Sequence, residues 1–338
     1  MLRLPQFELL EPSSVYGALA ALAEHGEAAM VVAGGTDLLP NMKHGLFEPG
    51  VLVSLARIPE LTGIHVQPDG ALHIGAMTPL AVVAADERVR HQAPSLAQAA
   101  GQVAGPQLRN QGTLGGNVLL DTRCQWYNQT HFWRQALGYC LKKDGTVCHV
   151  VAGGKRCVAA ASNDTVPALT TLGAELRFER LGAERVIPIE ELWQSDGANN
   201  KRKEPGELLT AIHVPATPAG HHGAYGKLRD RGSIDFPQLG MAVRIDLDAE
   251  GRVAHADQVV IALVARPTRI KGTEALVGLT PGTEAFQTAL EELAESARRQ
   301  CRPMDNIPGD AAWRREMVRP FTRRTVLAAL DGTGPVTG

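Results

Sequence analysis

Residues 28–39, AAMVVAGGTDLL, and residues 107–117, QLRNQGTLGGN, decide how this chain is read. In the first, a short apolar run leads directly into two glycines, a threonine and an aspartate: a strand, a glycine turn and the start of a helix. Glycine admits positive φ and lets other groups approach the backbone. The exposed N–H groups of such a turn make a nest for anionic oxygens, and a helix N-terminus behind it adds positive potential. Val32, Ala33, Gly34, Gly35, Thr36, Asp37 and Leu38 are therefore candidates for cradling a pyrophosphate. The second segment is another glycine turn, with a hydroxyl and a carboxamide. Thr113, Gly115, Gly116 and Asn117 supply groups that can bond phosphate or the polar edge of a cofactor. Neither segment reads G-x-G-x-x-G, and nothing in the chain reads G-x-x-x-x-G-K-[ST], so a Rossmann site and a P-loop are disfavoured. A tight βα turn explains either segment alone. Two of them in one chain make a split pyrophosphate site as good an explanation as two unrelated turns.

Outward from these segments, residues 13–26 predict a helix capped by Ser13 or Ser14 and stopped by Gly26. Residues 51–55 predict the next strand. The first stretch is thus a small α/β unit with parallel strands. Short strands at 64–66 and 71–74 flank the turn Pro68-Asp69-Gly70, and residues 79–104 read as helices, with Pro94 opening the second. From His221 onward the pattern changes to strands at 239–247 and 258–264. Helices follow at 284–300 and at 310–330, the last interrupted at Arg319-Pro320. The tail from Gly332 to Gly338 is expected to be disordered. The expected units are 1–60 (α/β), 61–220 (a second subdomain, with an insertion at about 118–160) and 221–330 (a small C-terminal α+β domain).

Composition narrows the function. With 34 Lys+Arg against 36 Asp+Glu in 338 residues, the net charge is −2, which argues against a nucleic-acid binder. No apolar run reaches the ~18 residues of a membrane helix. The N-terminus, MLRLPQFELLEP, lacks the basic and apolar regions of a signal peptide, so the expected location is cytoplasmic. No G-x-S-x-G, no H-E-x-x-H and no coherent acid–base pair is present, and no catalytic residue is expected in this chain.

VVAGGTDLLPNMK (31–43) and QLRNQGTLGGN (107–117) resemble the two FAD-binding segments of the medium, flavin-carrying subunit of the molybdenum hydroxylases, the family of carbon monoxide dehydrogenase and xanthine dehydrogenase. SNDTVPAL (162–169) is similar to the family segment whose aspartate lies beside the flavin nucleotide. YGKLRDR (225–231) with IDFP (234–237) resembles the start of the C-terminal domain. The resemblance spans nearly the whole chain. It implies a mixed α+β architecture: the two-part FAD-binding fold of the vanillyl-alcohol-oxidase and molybdenum hydroxylase flavoproteins, followed by a small α+β domain. By the same resemblance, Ala33 to Leu38 offer N–H groups to the pyrophosphate, and Thr113, Gly115, Gly116 and Asn117 close the other side. Asp164 bonds the nucleotide portion and Lys227 sits near the isoalloxazine.

The resemblance also exposes an insertion. Family members pass from the Gly-Asn segment to the aspartate in about ten residues, whereas Asn117 and Asp164 lie 47 positions apart here. The extra stretch holds Cys124, Cys140, Cys148 and Cys157, four of five cysteines, and Cys301 stands alone as a small buried hydrophobe. Residues 118–160 also hold Trp126, Tyr127, Phe132, Trp133 and Tyr139, and six cations (Arg123, Arg134, Lys142, Lys143, Lys155, Arg156) against Asp121 and Asp144, a balance of +4. Thiols gathered in a reducing compartment are more often metal ligands than cystines. A structural zinc site usually presents C-x₂₋₄-C pairs, and the gaps here are 15, 7 and 8 residues. A [4Fe–4S] cube is larger and relaxes that demand, although the ferredoxin run is also absent. Spacing alone does not choose between zinc and iron. A neighbouring flavin favours iron, and the surplus cations suit an anionic cluster. His131 and His149 read as surface residues or cluster neighbours, and His221-His222 as a loop.

One branch of the family carries such an insertion, and its four ligands match Cys124, Cys140, Cys148 and Cys157: the β subunits of 4-hydroxybenzoyl-CoA reductase. That resemblance implies an electron-transferring subunit in reductive dehydroxylation to benzoyl-CoA. Electrons from ferredoxin would pass by a [4Fe–4S] cluster to FAD, then to [2Fe–2S] clusters in a small subunit and the molybdenum cofactor in a large one. The implied assembly is a dimer of heterotrimers. The alternative is a hydroxylase or dehydrogenase subunit that sends electrons outward to NAD or another acceptor, its four cysteines a structural metal site. A zinc-stapled binding module without redox function is a further rival.

Overall fold

Ser14 begins the first helix: its Oγ accepts the Gly17 N–H at 3.1 Å, and Val15–His25 runs to Gly26 at φ +50°. The helix buries Ala18, Leu19 and Leu22 against the first of three sheets that the computed structural model builds from residues 2–338. That sheet holds β1 (Glu8–Leu10), β2 (Ala29–Val32) and β3 (Val51–Ser54), in the order β1-β3-β2 and parallel throughout.

The second sheet contains β4 (Ile64–Val66), β5 (Leu72–Gly75), β6 (Glu175–Arg180), β7 (Ala183–Pro188) and β8 (Leu208–Val214), ordered β4-β5-β8-β6-β7 and antiparallel. Leu72, Ile74, Leu176 and Ile212 share a core with Leu80, Val83, Leu96 and Leu169 from the helices beside it. Where the sequence suggests two helices over 79–104 there are three, Leu80–Ala85, Glu87–Gln92 and Pro94–Gln102. Asp86 caps the middle one by accepting N–H bonds from Arg88 and Val89.

The third sheet is β9 (His221–Leu228), β10 (Leu239–Leu247), β11 (Val253–Ile261), β12 (Thr268–Arg269) and β13 (Val336–Thr337), ordered β12-β11-β10-β9-β13. Its side chains alternate between two cores. Tyr225 and Ala242 pack with the second unit, whereas Ala224, Met241 and Val243 pack under the helices Glu284–Gln300 and Ala311–Asp331. The sheet is therefore covered on both faces, and one face is welded to the preceding unit.

The C-terminal region departs from expectation in several places. β11, the second strand expected in this domain, starts at Val253, not 258, because its first residues pair with β10 from Leu247 to Arg244. The last helix runs through Pro320 unbroken: the ring removes one N–H, but Val318, Phe321, Thr322 and Thr325 remain buried and hold the helix on the sheet. The tail is ordered. Gly332 turns the chain at φ +64°, and Val336 and Thr337 pair in parallel with Gly226 and Lys227.

The insertion has little regular structure beyond the helix His131–Ala136. It is closed at its base by a reciprocal backbone pair, Arg123 N–H to Ala160 O and Ala160 N–H to Arg123 O, both 2.7 Å. Among the described residues no helix is long and apolar enough to cross a membrane. Truncation after Gly332 removes β13 and is expected to destabilise the C-terminal domain by about 1 kcal/mol, read as a lower urea midpoint; an unchanged midpoint would show that the ordered tail contributes nothing.

Candidate functional site

The two glycine segments meet. A Cβ built on Gly34 would lie 1.8 Å from the carbonyl oxygen of Gln111, so no other residue fits there without separating the segments. Gly35 follows at φ +69°, in the left-handed region. The turn from Ala33 to Leu38 is half-buried. Among the described residues, no backbone N–H from Gly34 to Asp37 donates to a protein acceptor. Four consecutive unpaired N–H groups in a half-buried turn are donors in want of an anionic ligand.

The second segment contributes shape more than donors. Gly115 N–H donates to Ala76 O at 2.8 Å, and Gly116 N–H to Thr113 Oγ1 at 3.1 Å. A Cβ on Gly115 would meet the Ala76 carbonyl oxygen at 2.8 Å. Asn117 turns inward: its Oδ1 accepts from Thr165 N–H (3.1 Å) and Thr165 Oγ1 (2.6 Å). Asn163, which sequence reading passed over, donates through Nδ2 to the carbonyls of Asn117 and Val118 at 2.8 and 3.0 Å. Thr113, Gly115 and Asn117 are buried, and Gly116 is exposed toward the first segment, 4.0 Å from the Ala33 Cβ for an added methyl.

Asp164 and Lys227 are brought together, with each other as partners. Lys227 Nζ lies 2.9 Å from Asp164 Oδ2 and 3.0 Å from Gln102 O, and Tyr225 Oη donates to Asp164 Oδ1 at 2.7 Å. Lys227 is 0% exposed. Burial raises the Asp164 carboxyl above the ordinary range, with Lys227 opposing it. Burial and the Asp164 charge raise the Tyr225 phenol well above its usual value. The pair ties β9 to the start of the helix Thr165–Thr171, and Lys227 with Tyr225 also ties β9 to the helix Pro94–Gln102, where Gln98 accepts the Tyr225 N–H at 2.9 Å.

The sequence marks Arg123 only as one of the insertion's cations, not as a partner of the glycine turn. Arg123 pairs with Asp37 of the first glycine turn, and its guanidinium lies 4.2 Å from the centre of the Phe236 ring. Phe236 and Arg123 line a cleft of about 500 Å³ between the insertion and the loop 230–238, which also takes in Cys124, Asn128, Arg231 and Ile307. Ile234 on this loop sits at φ +75°, rare for a β-branched residue, and donates to the carbonyl of Ala104 at 3.1 Å.

The four clustered cysteines line one small cavity, with Trp126, Tyr127, Lys142 and His149 in its walls. Cys124 lines both this cavity and the larger cleft. Cys148 Sγ accepts the Val151 N–H and Cys157 Sγ the Ala159 N–H, both at 3.4 Å, contacts that favour a thiolate. Burial, with the neighbouring thiols adding to it, pushes the Cys124 thiol up to about 11, and burial raises Cys157. Burial thus favours the protonated form of Cys124 and Cys157, and a metal must displace those protons on binding. Among the described residues no group of three or more His, Cys, Asp or Glu is arranged to hold a single ion. Lys142 spans the base, bonding Asp121 Oδ1 at 2.8 Å and Gly197 O at 3.1 Å. His149 is a cavity neighbour, its Nε2 2.6 Å from Tyr139 O; His131 is exposed, and His221 and His222 lie in β9, not in a loop.

The same architecture occurs in known proteins. A family model described as the FAD binding domain in molybdopterin dehydrogenase matches residues 5–217, and one described as the CO dehydrogenase flavoprotein C-terminal domain matches 223–329. The carbon monoxide dehydrogenase medium chain of Hydrogenophaga pseudoflava is 30% identical over 328 residues, covering 96% of this chain and 97% of its own. The 6-hydroxypseudooxynicotine dehydrogenase complex subunit alpha of Paenarthrobacter nicotinovorans is 27% identical over 332 residues, covering 98% and 97%. A solved carbon monoxide dehydrogenase chain from Hydrogenophaga pseudoflava superimposes with a TM-score of 0.78 at 28% identity, covering 97% of this chain and 99% of that one.

Replacing Lys227 by Met leaves the Asp164 carboxylate buried without its cation. The variant is expected to lose about 3–5 kcal/mol of stability, measured by urea unfolding; a loss below about 1 kcal/mol would mean that the pair does not hold the two units together.

Proposed function

The chain belongs to the FAD-binding medium subunits of the molybdenum hydroxylase family, and from that premise we propose that it carries electrons as the flavin and iron–sulfur subunit of a 4-hydroxybenzoyl-CoA reductase. It is an oxidoreductase subunit whose substrate chemistry lies in a partner: a large molybdenum-cofactor subunit, with a small [2Fe–2S] subunit between, in a dimer of heterotrimers in the cytoplasm.

The residues present suit both groups. The unpaired N–H groups of Gly34 to Asp37 would hold the FAD pyrophosphate, with Val32 to Leu38 on one side and Thr113, Gly115, Gly116 and Asn117 shaping the other. Arg123 neutralises Asp37, which would otherwise repel a phosphate, and lies over the Phe236 ring in the wall of the cleft that would take the flavin ring. Asp164 and Lys227 fix the two units that bracket this cleft, and act on the flavin by holding its surroundings. Cys124, Cys140, Cys148 and Cys157 would ligate the [4Fe–4S] cluster, and the N–H donors of Val151 and Ala159 would stabilise its thiolates. Bound there, the two groups supply one-electron and two-electron redox chemistry side by side.

One observation carries the reading: four cysteines spread over 34 residues line a single cavity, and one of them, Cys124, also walls the neighbouring cleft. Such an arrangement would set a cluster beside a flavin, and the resemblance of the cysteine insertion to that of the reductase branch favours electron uptake from a ferredoxin. The names of the relatives, dehydrogenases, support a second reading in which electrons leave the molybdenum partner outward to NAD or another acceptor.

Cys140→Ser and Cys148→Ser are each expected to lose most of the iron while keeping flavin, whereas Gly34→Ala is expected to lose flavin, about tenfold or more, while keeping iron. Iron retained in both cysteine variants would overturn the cluster assignment, and flavin retained in Gly34→Ala would overturn the split pyrophosphate site. In the assembled complex, reduced ferredoxin with 4-hydroxybenzoyl-CoA is expected to give benzoyl-CoA; NAD-dependent substrate oxidation without any such dehydroxylation would establish the outward reading.

A further inference from the structure

Three of the chain's eleven histidines stand side by side on one face of the second sheet. His65 in β4 is paired with His73 in β5, His73 with His213 in β8, and His213 with Glu175 in β6. Three imidazoles and a carboxylate thus form a row across four neighbouring strands, because directly paired residues project to the same face. The alternate positions Ile64, Leu72, Ile74, Ile212 and Leu176 are buried in the core, so the row lies on the opposite face. There His65 is exposed, and His73, His213 and Glu175 are half-buried. None of the four lines the thiol cavity or the cleft beside it. One histidine on an open sheet face needs no explanation. Three in register are different, because like charges directly opposite one another destabilise a sheet, and an ion that takes the imidazole lone pairs removes that cost.

The register singles out one pair. Ala76 N–H donates to Thr210 O at 2.9 Å. Counted inward from that bond, 74/212 and 72/214 are hydrogen-bonded pairs of β5 and β8. Between them lies 73/213, a non-hydrogen-bonded pair, in which Cα atoms approach to ~4.5 Å and side chains are closest. Gly75 N–H donates to Gly63 O at 2.9 Å and Gln67 N–H to Ala71 O at 2.8 Å. The pair 65/73 therefore falls in the wider, hydrogen-bonded set at ~5.5 Å. His65 also leans along its own strand: a Cβ added to Gly63 would lie 3.1 Å from His65 Nε2. Two Zn–N bonds of ~2.0–2.1 Å require the two nitrogens to come within about 4 Å of each other. That suits His73 with His213 and does not suit three imidazoles in a line. Among the described residues no third His, Cys, Asp or Glu converges on the same point.

The surroundings tolerate a cation. Arg177, the nearby cation on β6, is already engaged by Glu179 at 3.3 Å and Glu184 at 2.6 Å. Burial, followed by the influence of His65, Arg177 and His213, lowers the His73 pKa and favours the neutral imidazole, the form that ligates. We propose that His73 and His213 form a two-point clamp for a divalent transition ion of the class of zinc or nickel, with Glu175 beside His213 and water in the remaining positions. Imidazole suits such ions, whereas magnesium and calcium take oxygen ligands. β5 and β8 lie on either side of the cysteine insertion in the sequence. An ion held between them cross-links the second unit at the base from which the insertion departs, whatever fills the flavin cleft and the thiol cavity.

The test is zinc binding by the intact chain, purified without oxygen, in competition with a chromophoric chelator, with nickel and magnesium compared on the same samples. A parallel series in the double variant Cys140→Ser/Cys148→Ser separates this site from the thiols. Both backgrounds are expected to bind about one exchangeable zinc per chain, and nickel likewise, but not magnesium. His73→Gln and His213→Gln are each expected to weaken zinc binding about tenfold or more, and His65→Gln less than about threefold. Added zinc is expected to raise the urea midpoint of the parent and not of His73→Gln or His213→Gln, whose metal-free midpoints match the parent's. Zinc affinity unchanged in both variants would overturn the clamp. So would zinc binding that disappears in the double cysteine variant, since the ion would then sit on the thiols, or magnesium bound as tightly as zinc. A loss in His65→Gln equal to that in His213→Gln would overturn the choice of pair.

Discussion

Everything functional in this molecule depends on one close approach: the backbone of Gly34 against the carbonyl of Gln111, with 1.8 Å where a methyl group would have to go. That contact brings the end of β2, in a three-stranded parallel sheet, against a turn of the second unit. It leaves the N–H groups from Gly34 to Asp37 without protein partners while the turn is half-buried. Burying donors unpaired costs about 1–3 kcal/mol each, a cost that bound pyrophosphate oxygens or solvent must offset. The constraint also sets Asp37 where Arg123, at the foot of the insertion, can reach it. The cysteine-bearing excursion is thereby tied to the glycine turn by a charge pair as well as by chain connectivity.

A second constraint holds the frame around this junction. Lys227 and Asp164 are sealed from solvent and complete each other, with Tyr225 and Gln102 satisfying the remaining hydrogen-bonding capacity. A buried pair of this kind contributes little net stability relative to apolar packing, but it tolerates no misalignment, because separating the partners strands a charge. Its effect is positional: β9 is fixed against the helix Thr165–Thr171, Arg229 adds a bond to Gln102, and the loop 230–238 that follows β9 is delivered to the cleft beside Arg123. The same loop carries Phe236 and the left-handed Ile234, so the cleft wall is set by backbone geometry instead of by a flexible side chain.

Much of this is legible in the sequence because the residues concerned have few alternative uses. Gly34, Gly35 and Gly115 are required by approach or by φ, and glycines so required stand out in their segments as plain text. Cysteines clustered in one insertion point to a shared cavity, and they do share one. The parallel first sheet and the α+β C-terminal domain follow from apolar patterning. What escapes is long-range pairing. Arg123 meets Asp37 across 86 positions, a contact with no periodicity to betray it. Asn163 and Tyr225 are overshadowed by their neighbours Asp164 and Lys227, whose resemblance-based roles toward a cofactor give no sign that they would be sealed against one another. Pro320 and the glycine-rich tail mislead for the opposite reason: local propensity signals a break, and packing on the third sheet overrides it.

On the function proposed above, a flavin and a four-iron cluster would share the wall that Arg123 and Cys124 build. The most direct test of that reading is a count of iron, acid-labile sulfide, zinc and flavin in the intact chain purified without oxygen. The account requires about four iron and four sulfide per FAD, with no stoichiometric zinc. One zinc per chain in place of iron would make the insertion a structural staple beside an ordinary flavin site. A well-folded chain without FAD would contradict the account at its root.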